Sequence, residues 1–229
     1  MSYPGGKGAS GVAQTIINQQ PPHRVYIETF AGAAAVLRAK RPAAVNIAID
    51  LDPACTENLH RAGLPEVTIV TGDAARYLKS HPPTADTLIY ADPPYPLASR
   101  RRARRLYTCE MSDAGHIRLL ETLRGLSCMV QISTYPNDLY ADMLSNWRLL
   151  KFQGMSRGGV MEEHLYMNYP PPAALHDYSH LGADFRDRER IQRKTKRWTA
   201  RISALGELER LALMSAMAET LSGIPPREK

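Results

Sequence analysis

The stretch VYIETFAGAAAVLRAK, residues 25–40, decides the fold class. Its first residues are β-branched, aromatic or apolar, which favours a buried strand, and its last eight residues favour a helix. Between them a tight turn of very small residues lets a ligand approach the backbone at the carboxyl end of the strand. A complete GxGxxG pattern is absent. The turn therefore argues against a dinucleotide and fits a nucleoside that carries no phosphates.

The same alternation of strand and helix continues along the chain. We predict strands at Val25–Glu28, Val45–Asp50, Val67–Thr71, Thr87–Ala91 and Ser127–Ser133. We predict helices around Ala33–Lys40, Pro53–Ala62, Ala74–Ser80 and Asp113–Arg124. Short apolar strands that are separated by helices are typical of βαβ units, so a parallel sheet with helices on both faces follows.

The pattern changes after residue 146. Two β-like segments, Trp147–Gln153 and His164–Tyr169, flank a glycine-rich turn at residues 157–159 and predict an antiparallel hairpin at the edge of the sheet. Pro170–Pro172 then interrupt the chain, and helices over about Ala183–Leu205 and Glu207–Leu221 predict a helical hairpin. We expect an α/β, Rossmann-like sheet of seven strands, with residues 1–172 as the catalytic domain and 173–229 as a basic helical appendage.

Size and composition exclude several classes of protein. The chain has 229 residues, 44% of them hydrophobic and 23% charged, which suits one domain with a small appendage. Its three cysteines are far apart, so we expect neither a disulfide framework nor a metal site. Neither a signal-peptide segment nor a run of 18 apolar residues occurs, and we expect a soluble protein of the reducing cytoplasm. A net charge of +6 suits a polyanionic partner.

Carboxylates follow three predicted strands and are candidates for binding a cofactor. Asp50 is placed to accept hydrogen bonds from ribose hydroxyls, whereas Asp52 suits the N-cap of the next helix. Asp73 can bind the amine of an adenine ring or can simply cap the helix that follows it. Glu28, at the end of the first strand, can reach an amine or a hydroxyl group.

The motif Asp92-Pro93-Pro94-Tyr95 follows the fourth strand and indicates the chemistry. Two prolines make a stiff turn without amide hydrogens, so carbonyl groups stay free to accept hydrogen bonds. The carboxylate adds a further acceptor, and the tyrosine adds a flat ring. Such a site accepts hydrogen bonds from both hydrogens of a planar amine, so the nitrogen lone pair leaves conjugation and can attack a sulfonium methyl group. Neither a metal nor a covalent nucleophile is required.

Taken together, these segments over about residues 2–169 resemble the D12 class of DNA adenine methylases, which includes the Dam enzymes. The N-terminal YPGGKG at residues 3–8 is similar to that family's cofactor motif, although a mobile N-terminal arm is an alternative interpretation of it. ETFAGAAAV is similar to the family's motif I, with Ala34 at a glycine position, and DPPY is similar to its catalytic motif. EHLYMN at residues 163–168 is similar to its late strand motif. The resemblance implies S-adenosylmethionine as cofactor and adenine N6 in DNA as target. The implied cofactor-binding residues are Tyr3, Pro4, Gly5, Gly6, Lys7, Glu28, Phe30, Gly32, Asp50, Asp73 and Asp92.

The sequence departs from the Dam enzymes between motif I and the catalytic motif. Those enzymes insert a target-recognition domain there, but here the predicted strands and helices fill the interval. Target recognition therefore either lies elsewhere in the chain or is slight. Basic residues near the DPPY motif and on one face of the first C-terminal helix are candidates for phosphate contacts: Arg100, Arg101, Arg102, Arg104, Arg105, Arg190, Lys194, Arg197 and Arg201. On that helix Ile191, Trp198, Ile202 and Leu205 form an apolar stripe that should pack.

Alternatives to DNA methylation remain open from the sequence. An RNA amino-methyltransferase of the same fold shares the DPPY chemistry, and an inactive basic DNA-binding module shares the charge. The basic residues also suit ordinary solvated surfaces. The helical hairpin can also pack on a second subunit, so both a monomer and a homodimer are compatible with the sequence. A compact chain of this kind suits a stand-alone modifying enzyme of a phage, a bacterium or a mobile element.

Overall fold

The computed structural model describes Lys7 and residues 11–100, 107–156 and 159–221. Its strands are β1 Val25–Thr29, β2 Val45–Asp50, β3 Val67–Thr71, β4 Thr87–Ala91, β5 Met129–Thr134, β6 Arg148–Ser156 and β7 Gly159–Met167. Its helices are α1 Val12–Ile17, α2 Ala35–Ala39, α3 Pro53–Arg61, α4 Ala74–Ser80, α5 Asp113–Arg124, α6 Asp138–Met143, α7 Phe185–Ser203 and α8 Glu207–Leu221, with a 3₁₀ helix at Leu97–Ser99.

The seven strands form one sheet in the order β3-β2-β1-β4-β5-β7-β6. Strands β1 to β5 run parallel to one another, and β7 runs antiparallel to both β5 and β6. The predicted Rossmann-like α/β sheet with an antiparallel C-terminal hairpin is confirmed. The outermost strand is β6, because β7 inserts between β5 and β6. Two turn residues of this hairpin, 157 and 158, lie outside the described residues.

Helices cover the sheet on both faces. On one face Ile16 and Ile17 of α1 and Val36 of α2 join a buried cluster with apolar residues of the central strands. On the other face Leu119 and Leu120 of α5 pack in a second cluster. Every residue of β4 is buried, as expected for a strand that is covered on both sides. Each fully buried leucine or isoleucine contributes roughly 1.5–3 kcal/mol of hydrophobic stabilisation.

The structure corrects some predicted boundaries. The sequence analysis gave no bounds to helices α1 and α6, which have six residues each. Helix α2 is shorter still, with five residues, and was predicted because the small-residue turn after β1 marks its start. The hairpin strands are longer than predicted, with nine residues each. Helix α7 ends at Ser203 rather than at Leu205.

The chain divides into two compact units, residues 1–180 and 181–229. The first unit extends beyond the boundary predicted at residue 172, because residues 173–180 bond to the sheet unit. The backbone amide of Arg41 donates to Asp177, and that of His176 donates to the Gln20 carbonyl. The second unit contains α7 and α8. In the part of the chain that the structure describes, no helix is both long and apolar enough to cross a membrane.

Candidate active site

The turn after β1 has an unusual backbone. Phe30, Gly32 and Ala34 all adopt the left-handed region, with φ values of 58°, 51° and 51°. Only glycine adopts this region freely, and the others are strained there. The strain is offset by hydrogen bonds, because the Ala31 amide donates to the Ile49 carbonyl and the Gly32 amide donates to Asp50. The neighbouring strand β2 therefore holds the turn in the shape that opens a cavity beside it.

Asp50 connects the ends of three strands. Its Oδ2 accepts from the Gly32 amide at 2.7 Å, and its Oδ1 accepts from the Asp52 amide at 2.9 Å. Its backbone carbonyl accepts from the Gly72 amide after β3. Burial raises the pKa of this carboxyl above its ordinary value, although the backbone amides oppose the rise. The predicted cofactor residue thus shapes the turn, and its side chain also lines the cavity.

Asp52 and Asp73 are helix caps. The Asp52 side chain accepts from the Ala54 amide at the start of α3, and the Asp73 side chain accepts from the Arg76 amide at the start of α4. Both carboxylates also line the cavity. The cap at Asp73 is therefore established, and its contact with an adenine ring stays a prediction.

These strand ends and the segment before α5 enclose one cavity. The carboxyl side chains among its described lining residues are Glu28, Asp50, Asp52, Asp73, Asp92 and Glu110, against the basic side chains Lys7 and Arg118. Small residues, including Gly32, Ala33 and Gly72, line it between the charged groups. A lining with this excess of carboxylates favours a ligand that carries positive charge and opposes one that carries phosphates.

Asp92, which lines the cavity, belongs to a largely buried cluster of four polar side chains, here called the Lys7 cluster: Lys7, Asp92, Tyr95 and Glu163. The Lys7 Nζ lies 3.0 Å from Asp92 Oδ1 and 3.2 Å from Glu163 Oε2, and it also donates to the Tyr95 hydroxyl. The Tyr95 hydroxyl lies 3.1 Å from Asp92 Oδ1 and 3.0 Å from Glu163 Oε2. Lys7 is thus bound to the catalytic motif. It also lines the cavity, and its contact with the cofactor stays a prediction.

Burial and charge oppose each other in the Lys7 cluster. Burial disfavours the ammonium form of Lys7, but Asp92 and Glu163 outweigh it and hold the pKa of Lys7 above its ordinary value. Burial raises the pKa of Asp92, and Lys7 opposes that rise. Both bonds described for the Asp92 carboxylate reach Oδ1. The orientation of the carboxylate is therefore fixed through one oxygen.

Asp92 and Pro94 line the cavity. Tyr95 is buried, with its hydroxyl in the Lys7 cluster and its ring 4.5 Å from the ring of Tyr135 in an edge-on arrangement. The structure thus gives Tyr95 the role of orienting Asp92, and its stacking on a base stays a prediction.

Glu28 is buried and its pKa is raised. Its Oε2 accepts from the Tyr26 hydroxyl at 2.9 Å and from the Leu37 amide at 2.7 Å. Burial raises the pKa of Glu28 to about 8, and these hydrogen bonds only partly oppose the rise. The carboxyl is therefore largely protonated at neutral pH and can act as a hydrogen-bond donor toward the cavity.

The raised pKa of Glu28 makes stability depend on pH. Between pH 4.5 and about 8 the unfolded chain releases this proton while the folded chain keeps it, so the free energy of unfolding falls as pH rises. The Glu28→Gln variant should lack this contribution, which amounts to at most about 1.4 kcal/mol per pH unit. Urea denaturation of both proteins from pH 5 to pH 8 measures it. Parallel pH profiles for the two proteins would contradict the assignment.

The structure corrects the prediction for Arg100. Its guanidinium is buried and forms a bidentate pair with Glu110, at 2.9 and 2.6 Å, while its Nε donates to the Tyr95 carbonyl. Arg100 therefore stabilises the turn after the catalytic motif and is not an exposed phosphate ligand. Four further predicted arginines, 101, 102, 104 and 105, lie outside the described residues, as do residues 3–6 of the N-terminal motif.

Helix α7 keeps its predicted basic face. Arg190 pairs with Asp187 at 2.7 Å, whereas no ion pair is described for Lys194, Arg197 or Arg201 within residues 181–221. The apolar stripe does not pack as predicted, because Trp198 is 48% exposed and no described residue of α7 or α8 is buried. Trp198 and Ile202 instead line an open groove with Leu213 and Met217 of α8.

The sequence analysis missed the place of Glu163 and Glu110 in the site. Glu163 is far from its partner Tyr95 along the chain, and Glu110 lies in a segment without a clear sequence pattern. Glu163 gave one signal, since it is an acidic residue at the start of the apolar run of a predicted strand. Among the described residues there is no group of three or more histidine, cysteine or acidic side chains that could hold a metal ion.

Comparisons with known proteins give likenesses to solved structures and no match in sequence. No family model and no curated protein matches its sequence. Among solved structures it is similar to M. capricolum TrmK in complex with S-adenosyl-homocysteine, at 10% identity and a TM-score of 0.47, covering 95% of this chain and 98% of that one. It is also similar to the 23S rRNA methyltransferase ErmE, at 12% identity and a TM-score of 0.47, covering 84% of this chain and 76% of that one. A third similar structure is the precorrin-6y C5,15-methyltransferase of Geobacter metallireducens, at 13% identity and a TM-score of 0.42, covering 69% of this chain and 84% of that one. At these identities and TM-scores the likenesses assign no family.

Proposed function

We propose that this chain transfers a methyl group from S-adenosylmethionine to the exocyclic N6 of adenine in DNA. One observation carries the proposal: a carboxylate after the fourth strand, Asp92, lines an acidic cavity and is fixed through one oxygen by Lys7 and Tyr95. The two functions of such an enzyme, cofactor binding and amine activation, therefore have adjacent places in one site.

The cavity suits S-adenosylmethionine as cofactor. Its turn at Gly32 has no phosphate-binding glycine pattern. Glu28 is largely protonated at neutral pH and Glu110 is paired with Arg100, which leaves four acidic lining residues, Asp50, Asp52, Asp73 and Asp92, against Lys7 and Arg118. A sulfonium nucleoside carries positive charge and no phosphate, which is the ligand that such a lining favours. We assign the ribose to Asp50, the adenine amine to Asp73 and the amino-acid part to the neighbourhood of Glu28 and Lys7.

The catalytic turn activates the target amine. Asp92 Oδ2 and the Pro93 carbonyl accept the two hydrogens of the amine, which draws the nitrogen lone pair out of conjugation. Bound S-adenosylmethionine supplies a sulfonium methyl group: as the lone pair forms the N–C bond, the C–S bond breaks, its electrons stay on sulfur and the positive charge moves to nitrogen. The Asp92 carboxylate then takes the released proton and passes it to water. An adenine of a duplex must leave the base stack to reach this site.

The choice of DNA follows from the resemblance of the DPPY and YPGGKG motifs to DNA adenine methylases. The described elements α2, β2, α3, β3, α4 and β4 fill the chain between Gly32 and Asp92, so these residues contain no recognition insert. A direct test adds S-adenosylmethionine with a labelled methyl group to duplex DNA, single-stranded DNA and RNA. Label in DNA supports the proposal. Label only in RNA would favour an RNA amino-methyltransferase, and no label with bound cofactor would favour an inactive binding module.

We expect the basic face of α7 to contact phosphates. Replacing Arg197 and Arg201 by serine should weaken nucleic-acid binding by about 10-fold at moderate salt and lower the salt slope by roughly 2, because each phosphate contact releases about one counterion. The matched control replaces Arg188 and Lys196 by serine, a change that removes the same amount of charge from the other side of the helix. Fluorescence anisotropy over a salt series measures both. Equal losses in the two variants would contradict a specific basic face.

A further inference from the structure

Glu163 lies in the Lys7 cluster although it comes 68 residues after Tyr95 in the chain. It is on β7, opposite Phe152 of β6 in the antiparallel pairing, and it is only 7% exposed. Its Oε2 lies 3.2 Å from Lys7 Nζ and 3.0 Å from the Tyr95 hydroxyl. A buried carboxylate is costly unless it is paired, so this contact with Lys7 is what makes its position tolerable.

The neighbouring strand leaves room for this carboxylate. Gly154 of β6 is buried, and a Cβ atom added there would lie 2.9 Å from Glu163 Oε1 and 3.2 Å from its Cγ. A side chain at position 154 would therefore require Glu163 to shift from its place in the cluster. The position of the Glu163 side chain therefore depends on the glycine at position 154.

The charges of the Lys7 cluster do not cancel. Lys7 contributes one positive charge, and Asp92 and Glu163 contribute two negative charges. Without Glu163, the ion pair of Lys7 and Asp92 would be neutral overall. The target amine would bind beside this cluster, and its nitrogen gains positive charge as the methyl group arrives. A fixed negative charge near a group that becomes cationic lowers the barrier, since the site is already organised for the product charge.

We propose that Glu163 is a positioning residue that acts through Lys7 and Tyr95 and gives the Lys7 cluster the surplus negative charge that stabilises the target amine during methyl transfer. The inference rests on the proposed function and deepens it, because it adds a second carboxylate to a reaction otherwise assigned to Asp92 alone. The contacts described for the Glu163 carboxylate in this cluster are to Lys7 and Tyr95, the two residues that also hold Asp92.

The Glu163→Gln variant tests the charge, because glutamine has the same shape and can still accept from the Tyr95 hydroxyl. We expect the single-turnover rate constant of methyl transfer to fall by about 100-fold, within the range seen when one preorganised electrostatic group is removed. Affinity for S-adenosylhomocysteine, measured by calorimetry, should stay within about twofold. Glu163→Asp keeps the charge and should recover most of the rate. An aspartate variant as slow as the glutamine variant would overturn the proposal.

A second measurement does not depend on activity. The titratable groups that interact electrostatically with Asp92 are Lys7, Glu28, Tyr90, Tyr95, Tyr107, Tyr140 and Glu163. Among them Glu163 raises the pKa of Asp92 by repulsion, so Glu163→Gln should lower that pKa. Carbon-13 NMR titration of the Asp92 carboxyl in both folded proteins measures the change. An unchanged pKa would overturn the proposal even if the wild type proved inactive, whereas inactivity of the wild type alone would count against the proposed function.

Discussion

The Asp92→Asn variant should lose methyl transfer by at least about 1000-fold and still bind S-adenosylhomocysteine with nearly unchanged affinity. Asparagine keeps the size of the side chain but presents an NH2 group to the target amine, which then meets a donor where it needs an acceptor. Lys7 keeps its pair with Glu163 at 3.2 Å, so we expect the buried ammonium to stay compensated and the variant to fold.

Two measurements check this expectation. Methyl incorporation under single-turnover conditions gives the rate, and calorimetry with S-adenosylhomocysteine gives the affinity. The thermal unfolding midpoint serves as the control for folding. A variant that folds, binds the cofactor product and still transfers methyl groups within about tenfold of the wild type would remove Asp92 from the proposed mechanism.

The Asp50→Asn variant should lose cofactor affinity by about 100-fold and some stability as well. Both carboxylate oxygens of Asp50 accept from backbone amides, and an asparagine NH2 would face one of these donors. A buried donor without an acceptor costs about 1–3 kcal/mol, and here that cost falls on the turn at Gly32 that shapes the cavity. The loss of one acceptor for the ribose hydroxyls adds to the effect.

Asp52→Asn is the matched control for this variant. Asp52 also lines the cavity, but its side chain caps α3, and asparagine caps a helix about as well as aspartate. We expect Asp52→Asn to leave stability and cofactor affinity within about twofold of the wild type. Calorimetry and urea denaturation compare the two variants. Equal losses in cofactor affinity would show that general cavity charge matters and that Asp50 has no specific role.

The sheet could be predicted because its pattern is local. Each of β1 to β4 is a short apolar run that ends in a turn or an acidic residue, and each lies within one or two residues of its predicted bounds. Parallel strands bring their carboxyl ends to one edge, so Glu28, Asp50 and Asp92 could be assigned to one site before the structure was known. Periodicity found the long helices, and the turns after β1 and β3 marked the starts of the short helices α2 and α4. Helices α1 and α6 were given no bounds.

The Lys7 cluster could not be predicted in full because its members meet through long-range pairing. Glu163 reaches Tyr95 only through the register of β7 against β5 and β6, and no local pattern fixes that register. The error for Arg100 has a local cause. Its sequence neighbours are basic and suggested a phosphate ligand, but its partner Glu110 lies ten residues further along and removes it from the surface.

The identity of the methylated nucleoside tests the central claim most directly. The purified protein is incubated with S-adenosylmethionine and duplex DNA, the DNA is digested to nucleosides, and the products are identified by mass spectrometry against the Asp92→Asn variant. The account predicts N6-methyl-deoxyadenosine from the wild type and none from the variant. Methyl groups on cytosine or guanine alone, or an equal yield of N6-methyl-deoxyadenosine from the variant, would contradict it.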